Sequence, residues 1–309
     1  MKKALKVFLA VLLVFATVLT FTACSGDGNN GKKGLLVKKI DGVYTVYDYV
    51  DADNGITELD IGAMLKLKGI DEEYNIKEGA FDGNDTLTKI IVSGKVKEIG
   101  AGAFKNMVNL RSLEVPFIGK TVKADAYYLE SASSEGKSVD RERTLAHFFG
   151  ENTYSAGTKV SINYGAGQAI CFVPKNFHEV IVNATLTAEG KDSYCIPFNA
   201  FNGATNLYKV TLKGEKLGGI GDGAFNNCSK LGEVIVDGLN LDVLDNAFKG
   251  CGQLKYFGKA VDTVPDYVID LASVKTAGKL AFDMGSNVYT VSNAGTIDLS
   301  LAFGETEIK

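Results

Sequence analysis

Five cysteines and two histidines are the side chains best suited to nucleophilic, redox or metal chemistry in this 309-residue chain. Cys24 stands alone near the amino end, while Cys171, Cys195, Cys228 and Cys251 lie in the second half. An even number of cysteines in an exported chain invites a disulfide framework. A zinc site would need a second cysteine or a histidine at ligand spacing, and no such pair occurs. His147 adjoins Phe148-Phe149 and His178 precedes a hydrophobic run, with no serine or cysteine nucleophile motif beside either. Both read as ordinary side chains. Gly219-Ile-Gly-Asp-Gly223 is not followed by the long helix of a nucleotide loop, and Gly100-Ala-Gly102 fills the same slot elsewhere. These are turn glycines. Asp51-Ala-Asp-Asn-Gly55 has the opening of a calcium loop, but the twelfth position is Gly62 where a bidentate glutamate is needed, so it reads as a hairpin turn. No catalytic residue, metal ligand or cofactor site emerges, and the expectation is a protein that is not an enzyme.

Cys24 has its own context. Lys2, Lys3 and Lys6 precede Val7 to Phe21, a stretch without a charge. A basic start followed by about 15 apolar residues is the layout of a secretory signal peptide, and it is short for a helix that must cross about 30 Å of hydrocarbon. The run ends in Phe21-Thr-Ala-Cys24, which resembles the bacterial lipobox, with Phe21 where leucine is usual. That resemblance implies cleavage after Ala23 and a diacylglycerol on the Cys24 thiol; the alternative is a conventional signal peptide with an unmodified Cys24. Two or three acyl chains anchor stably where one gives only marginal binding. Residues 25–34, Ser-Gly-Asp-Gly-Asn-Asn-Gly-Lys-Lys-Gly, hold no apolar side chain and read as a flexible tether. Removing three lysines and no acid takes the formal charge from −4 to −7. Such a surface excludes nucleic acid as a partner and gives the membrane no electrostatic hold, which leaves the lipid as the only anchor.

The rest of the chain is organised by a repeat. Ala-Phe pairs at 80–81, 103–104, 200–201, 224–225 and 247–248 each follow an aliphatic residue and precede a Leu-x-x-(Val/Ile/Leu/Phe) segment, as in Ile220-Gly-Asp-Gly-Ala-Phe225 and Leu231-Gly-Glu-Val-Ile-Val236. The phenylalanines are spaced 23, 97, 24 and 23 residues apart, and 97 is close to four periods. The end of each Leu segment alternates as a short strand does, while the part around Ala-Phe, rich in glycine, reads as a turn leading into a short helical segment. One such coil buries too little to offset its chain entropy, so the coils must stack.

The pattern resembles the BspA-like branch of bacterial leucine-rich repeats, whose signature is roughly Ile-Gly-x-x-Ala-Phe-x-x-Cys-x-x-Leu-x-x-Val-x-Ile-Pro. The copy at Ile220 follows it almost throughout, including Cys228, and the copy at Ile99 ends in Val115-Pro116. The resemblance runs from Asp41 to Gly258 and implies a leucine-rich-repeat solenoid with about 23-residue coils. Across 117–190 it implies an irregular coil in which Phe148-Phe149-Gly150 replaces the Ala-Phe turn and Ser131 to Arg143 forms an excursion loop. Residues 35–73 read as an N-terminal β cap, with strands Val43–Val50 and Ile56–Ile61 joined through Asp53-Asn-Gly55. The solenoid spans 74–258, and the period fades into a β-rich C-terminal cap over 259–309. Cys228 and Cys251 share one repeat position with Asn84, Met107 and Ala204, which favours buried thiols; stacking also brings the two within reach of a disulfide, and Cys171 and Cys195 stand the same way.

The strand positions expected to face outward form the candidate binding face: Lys89 and Ile91, Ser112 and Glu114, Glu179 and Ile181, Lys209 and Thr211, Glu233 and Ile235, and less regularly Lys255 and Tyr256. The resemblance implies a monomeric, lipid-anchored surface protein that binds a protein or glycan. A scaffolding lipoprotein of the envelope, bound to another exported protein, is the alternative. A two-lobed solute-binding lipoprotein does not fit the 23-residue period. Replacing Cys24 by alanine is expected to release the protein from membranes on fractionation; retention in the membrane pellet overturns the anchor.

Overall fold

A computed structural model describes residues 33–309 except 52–54, 123–140, 164–166, 188–190 and 237. The expected signal peptide, Cys24, most of the expected tether and the expected excursion loop up to residue 140 lie outside the described residues. The chain begins with a hairpin of β1 (Gly34–Ile40) and β2 (Val43–Val50), paired antiparallel about Asp41-Gly42. Both turn residues have positive φ, 49° and 83°, as the tight turns that match strand twist require. This corrects the expected pairing of Val43–Val50 with Ile56–Ile61. The second of those segments becomes β3 (Glu58–Asp60) and α1 (Ile61–Leu67), with the Asp60 carboxylate capping α1 at Ala63 N, 3.0 Å away.

From there each coil lays down one strand of a common parallel sheet. β3 pairs with β5 (Lys89–Ile91), and β7 (Ser112–Val115), β10 (Glu179–Asn183), β12 (Lys209–Lys213), β14 (Glu233–Val236), β16 (Tyr256–Gly258), β17 (Val268–Asp270) and β19 (Thr290–Ser292) follow in spatial order. The pairing runs without a shift, for example Lys209 opposite Glu233 and Val210 opposite Val234. A slip of one residue would turn the buried Val, Leu and Phe of every strand to solvent.

The aliphatic residue ahead of each Ala-Phe pair was expected in a turn, and it lies instead at the end of a second strand. β4 (Tyr74–Ile76) and β6 (Val96–Ile99) extend the hairpin into a four-stranded sheet. β11 (Tyr194–Ile196), β13 (Leu217–Ile220), β15 (Leu241–Val243) and β18 (Val274–Ala277) form another. The Ala-Phe segment between the strands is a chain of three-residue turns, such as Ala224 N to Gly221 O and Cys228 N to Phe225 O, both 3.1 Å, and not a helix. Two positions of that turn need a left-handed backbone. The residue before alanine is Gly79, Gly102, Asn199, Gly223 or Asn246, and the second after phenylalanine is Gly83, Asn106, Gly203, Asn227 or Gly250, all with φ between 54° and 83°. Only glycine and asparagine take this region at little cost.

The phenylalanines stack through the core. Ring centroids are 4.8 Å apart for Phe201 and Phe225 and 5.2 Å for Phe225 and Phe248, with near-parallel planes. The stack does not stop where the period was expected to fade: Phe248 meets Phe282 at 5.4 Å and Phe282 meets Phe303 of α2 (Leu299–Phe303) at 5.3 Å. Ala281-Phe282 is thus a further copy of the turn, and Ala302-Phe303 carries the same pair and the ring stack into the helix α2.

In the irregular coil Phe148 stands 5.9 Å from Phe104 and Phe149 stands 5.1 Å from Phe177. An antiparallel hairpin, β8 (Gly157–Asn163) and β9 (Gln168–Pro174), follows and buries Val160, Ile162, Cys171 and Val173 in the core. His147 is buried in its turn, with Nε2 donating to Ile99 O at 2.7 Å. Burial holds its pKa below the usual 6.5, against the pull of that hydrogen bond and of Glu142; Arg141 and Lys120 add to the depression.

Replacing Phe225 by alanine is expected to cost about 3–5 kcal/mol in urea unfolding; a loss under about 1 kcal/mol would remove the ring from the core. His147 sets a pH trend. Below about pH 6.5 the unfolded chain takes up its proton first, so stability falls as pH drops from 6.5 toward the depressed folded value and levels off beneath it. The His147→Gln variant should show a flatter melting midpoint between pH 7.5 and 5.5. Equal slopes for the two proteins would mean the imidazole is not held neutral by the fold.

Candidate binding face

The ten residues expected to face outward lie in two rows across the nine-stranded sheet. One row runs Glu58, Lys89, Ser112, Glu179, Lys209, Glu233 and Tyr256, and the next runs Asp60, Ile91, Glu114, Ile181, Thr211, Ile235 and Gly258. The structure therefore brings all ten together. Tyr256, not Lys255, continues the first row; it is buried, and its hydroxyl donates to Lys259 O at 2.8 Å.

Alignment is not accessibility. Ser112, Glu114, Ile181 and Ile235 are each under 10 % exposed, because longer neighbours close over them. Ser112 Oγ donates to Glu179 Oε2 at 2.8 Å, and Lys209 Nζ sits 4.0 Å from Glu179 and 3.8 Å from Glu233. Glu114 receives Asn183 Nδ2 at 2.8 Å and pairs with Lys213 at 3.0 Å. Most of the charge on these rows is spent within the sheet. The accessible side chains lie one position earlier, at the entrance to each strand: Arg111, His178, Tyr208 and Lys255 are all exposed. They form a row of their own, since His178 N donates to Arg111 O at 3.1 Å and Tyr208 N to His178 O at 2.9 Å. The repeat pattern gave no signal for this row, because its residues share no type from coil to coil.

The remaining candidates find structural roles. Cys171, Cys195, Cys228 and Cys251 are free thiols. Cys228 Sγ donates to Phe201 O at 3.1 Å and Cys251 Sγ to Phe225 O at 3.0 Å, each bonding one coil back. Burial pushes the Cys171 thiol up to about 12 and the Cys195 thiol up to about 11, so both are protonated and poor nucleophiles near neutrality. Asp51 accepts from Asn84 Nδ2 at 2.9 Å and Thr86 Oγ1 at 2.5 Å, which ties the hairpin to the first Ala-Phe coil. His178 Nδ1 lies 2.6 Å from Asn176 O. A recess beside α1, lined by Gly62, Leu65, Tyr74 and Lys95 among others, has room for about one water molecule. Among the described residues no group of His, Cys, Asp and Glu is placed to hold a metal ion, and no helix is long and apolar enough to cross a membrane.

Comparison with known proteins fits this geometry. A search of curated proteins finds no match to the chain. A family model for the BspA type leucine rich repeat region matches in six copies, over residues 65–134 and 171–277. The matched segments make up more than half of the sequence and contain five of the seven Ala-Phe pairs, the gap between them falling on the irregular coil. The chain belongs to the BspA-type leucine-rich-repeat family.

Proposed function

We propose that this protein is a non-catalytic surface lipoprotein, anchored through Cys24, that displays its repeats to bind a protein or glycan. The repeats act as a solenoid, closed at one end by the β1–β2 hairpin and at the other by β19 and α2. The observation that carries this proposal is the unbroken in-register sheet, nine strands wide, with a row of exposed side chains at its strand entrances. A surface of that kind suits an extended ligand laid across many coils, whereas chemistry on a small substrate calls for a concave pocket with convergent polar groups. Membership of the BspA-type family supports binding or adhesion over catalysis, and the signal-like amino end supports export. The polar tether sets the sheet away from the membrane that the lipid enters.

Capture tests this directly. The full chain, in detergent and immobilised, is exposed in parallel to host extracellular matrix and to bacterial envelope extract. Saturable enrichment of a matrix component is expected. Enrichment only from the envelope would replace display toward a host with scaffolding of another exported protein, and no enrichment from either overturns binding as the function.

A further inference from the structure

The entrance row of the nine-stranded sheet carries more chemical information than the rows first expected to bind. Tyr208 is 45 % exposed and reaches across to the next strand, where its hydroxyl donates to Glu233 Oε1 at 3.3 Å. Its ring lies against Gly232: a β-carbon there would come within 2.7 Å of the ring, with three ring atoms inside 3.3 Å. The absence of a side chain at 232 is what lets the ring settle on the sheet. One ring face is backed by main chain, and the edge is pinned by Glu233.

One and two rungs away on the same row stand His178 and Arg111, both exposed. Arg111 forms no ion pair among the described residues, unlike Lys209 and Lys213 of the same sheet, which are held by Glu179, Glu233 and Glu114. Three rungs at about 4.8 Å per strand span about 10 Å. A flat aromatic platform, an imidazole and an uncompensated guanidinium therefore sit in one line.

We propose that Arg111, His178 and Tyr208 bind an acidic glycan, with a sugar ring stacked on Tyr208 and a sugar carboxylate on Arg111. The proposal rests on the display function above and names the ligand class of that same face. Three observations favour a glycan over a protein. The C–H-rich face of a pyranose packs on the electron-rich face of an aromatic ring, and Tyr208 offers such a face already held in place. A stable protein interface needs about 800 Å² per partner with buried aromatic or apolar anchors, and Tyr208 is the only large aromatic among the exposed hydrophobic residues described. The row is also narrow, bounded by ion pairs already made. Acidity in the ligand follows from charge: on a chain at −7 without its signal segment, an unpaired arginine beside a histidine gives an anion a local place to bind.

The test measures affinity of the full chain in detergent by calorimetry for three probes: a panel of uronate- and sialate-bearing oligosaccharides, neutral malto-oligosaccharides, and poly-L-glutamate. Binding is expected for an acidic oligosaccharide only, and it should weaken as salt rises. Tyr208→Ala should weaken it about tenfold. Gly232→Ala should weaken it as well, by displacing the ring while keeping the phenol. Arg111→Gln should narrow the gap between acidic and neutral sugars. These exposed side chains leave the core intact, which an unchanged melting midpoint for Tyr208→Ala and Arg111→Gln verifies. Equal binding of poly-L-glutamate, equal binding of neutral sugars, or acidic-sugar binding indifferent to Tyr208 and Arg111 each overturns the proposal. So does no binding of any sugar. If matrix capture persists in the Tyr208→Ala, Arg111→Gln double variant, the glycan site fails while the display function stands.

Discussion

In every regular coil the phenylalanine of the turn gives its amide hydrogen to the alanine carbonyl one coil later. Phe81 donates to Ala103, Phe201 to Ala224, Phe225 to Ala247, Phe248 to Ala281 and Phe282 to Ala302, at 2.8–2.9 Å. That bond fixes the rise between coils on the turn side as the sheet ladder fixes it on the strand side. With both sides set to one spacing, rings separated by 4.8–5.4 Å fall into contact without further adjustment. The small side chain of alanine is part of the same constraint, since a larger one would hold the turns apart. The left-handed positions on either side of Ala-Phe bend the chain sharply enough to return it to the next strand. Glycine fills those positions because it has no β-carbon to meet its own backbone, and asparagine because its short amide side chain bonds locally and lowers that cost.

The irregular coil keeps the bonding rule while breaking the sequence rule. Phe104 N donates to Phe148 O at 3.0 Å and Leu145 N donates to Ala200 O at 2.9 Å, so the ladder passes through residues 145–148 without a gap. The nine-stranded sheet is likewise continuous, with β7 next to β10. Only the second sheet pays, splitting into two four-stranded pieces between β6 and β11. In the break the Tyr194 hydroxyl accepts from Ile118 N at 2.9 Å and Lys120 O accepts from Ile99 N at 2.9 Å. A long insertion is tolerated because loop closure grows slowly with length, provided that the rungs on both sides are met.

What the sequence made legible follows the same division. The Ala-Phe pairs, the strand segments and the inward positions could be read because stacking forces one residue type into one place, coil after coil. The last two pairs were missed because the spacing changes, from Phe248 to Phe282 by 34 residues and from Phe282 to Phe303 by 21. Leu280 also occupies the left-handed site at φ 55° where glycine or asparagine stands in the earlier copies, which hides the motif. The amino-terminal hairpin was placed one strand too late, because Asp-Asn-Gly and Asp-Gly carry the same turn signal and only pairing decides between them. The outward rows were identified residue by residue, but their accessibility was not. It depends on contacts such as Ser112 with Glu179 and Asn183 with Glu114, which join residues 67 and 69 apart in the chain.

The same register explains why the binding chemistry is not written in the repeat. In a parallel, in-register sheet each side chain stacks on its counterpart about 4.8 Å away. Inward, that rewards repetition, because like apolar groups pack on like. Outward, it penalises repetition of any charge, since like charges directly opposite are destabilising. The first outer row answers with alternation, Glu58 beside Lys89 and then Glu179, Lys209 and Glu233 in turn. Charges that neutralise their neighbours are poor ligands for anything else. The residues left free for the proposed ligand are therefore those at the strand entrances, where the side chains escape that stacking. Arg111, His178 and Tyr208 differ in type for this reason, and a row with no consensus is where a repeat protein of this kind can hold its specificity.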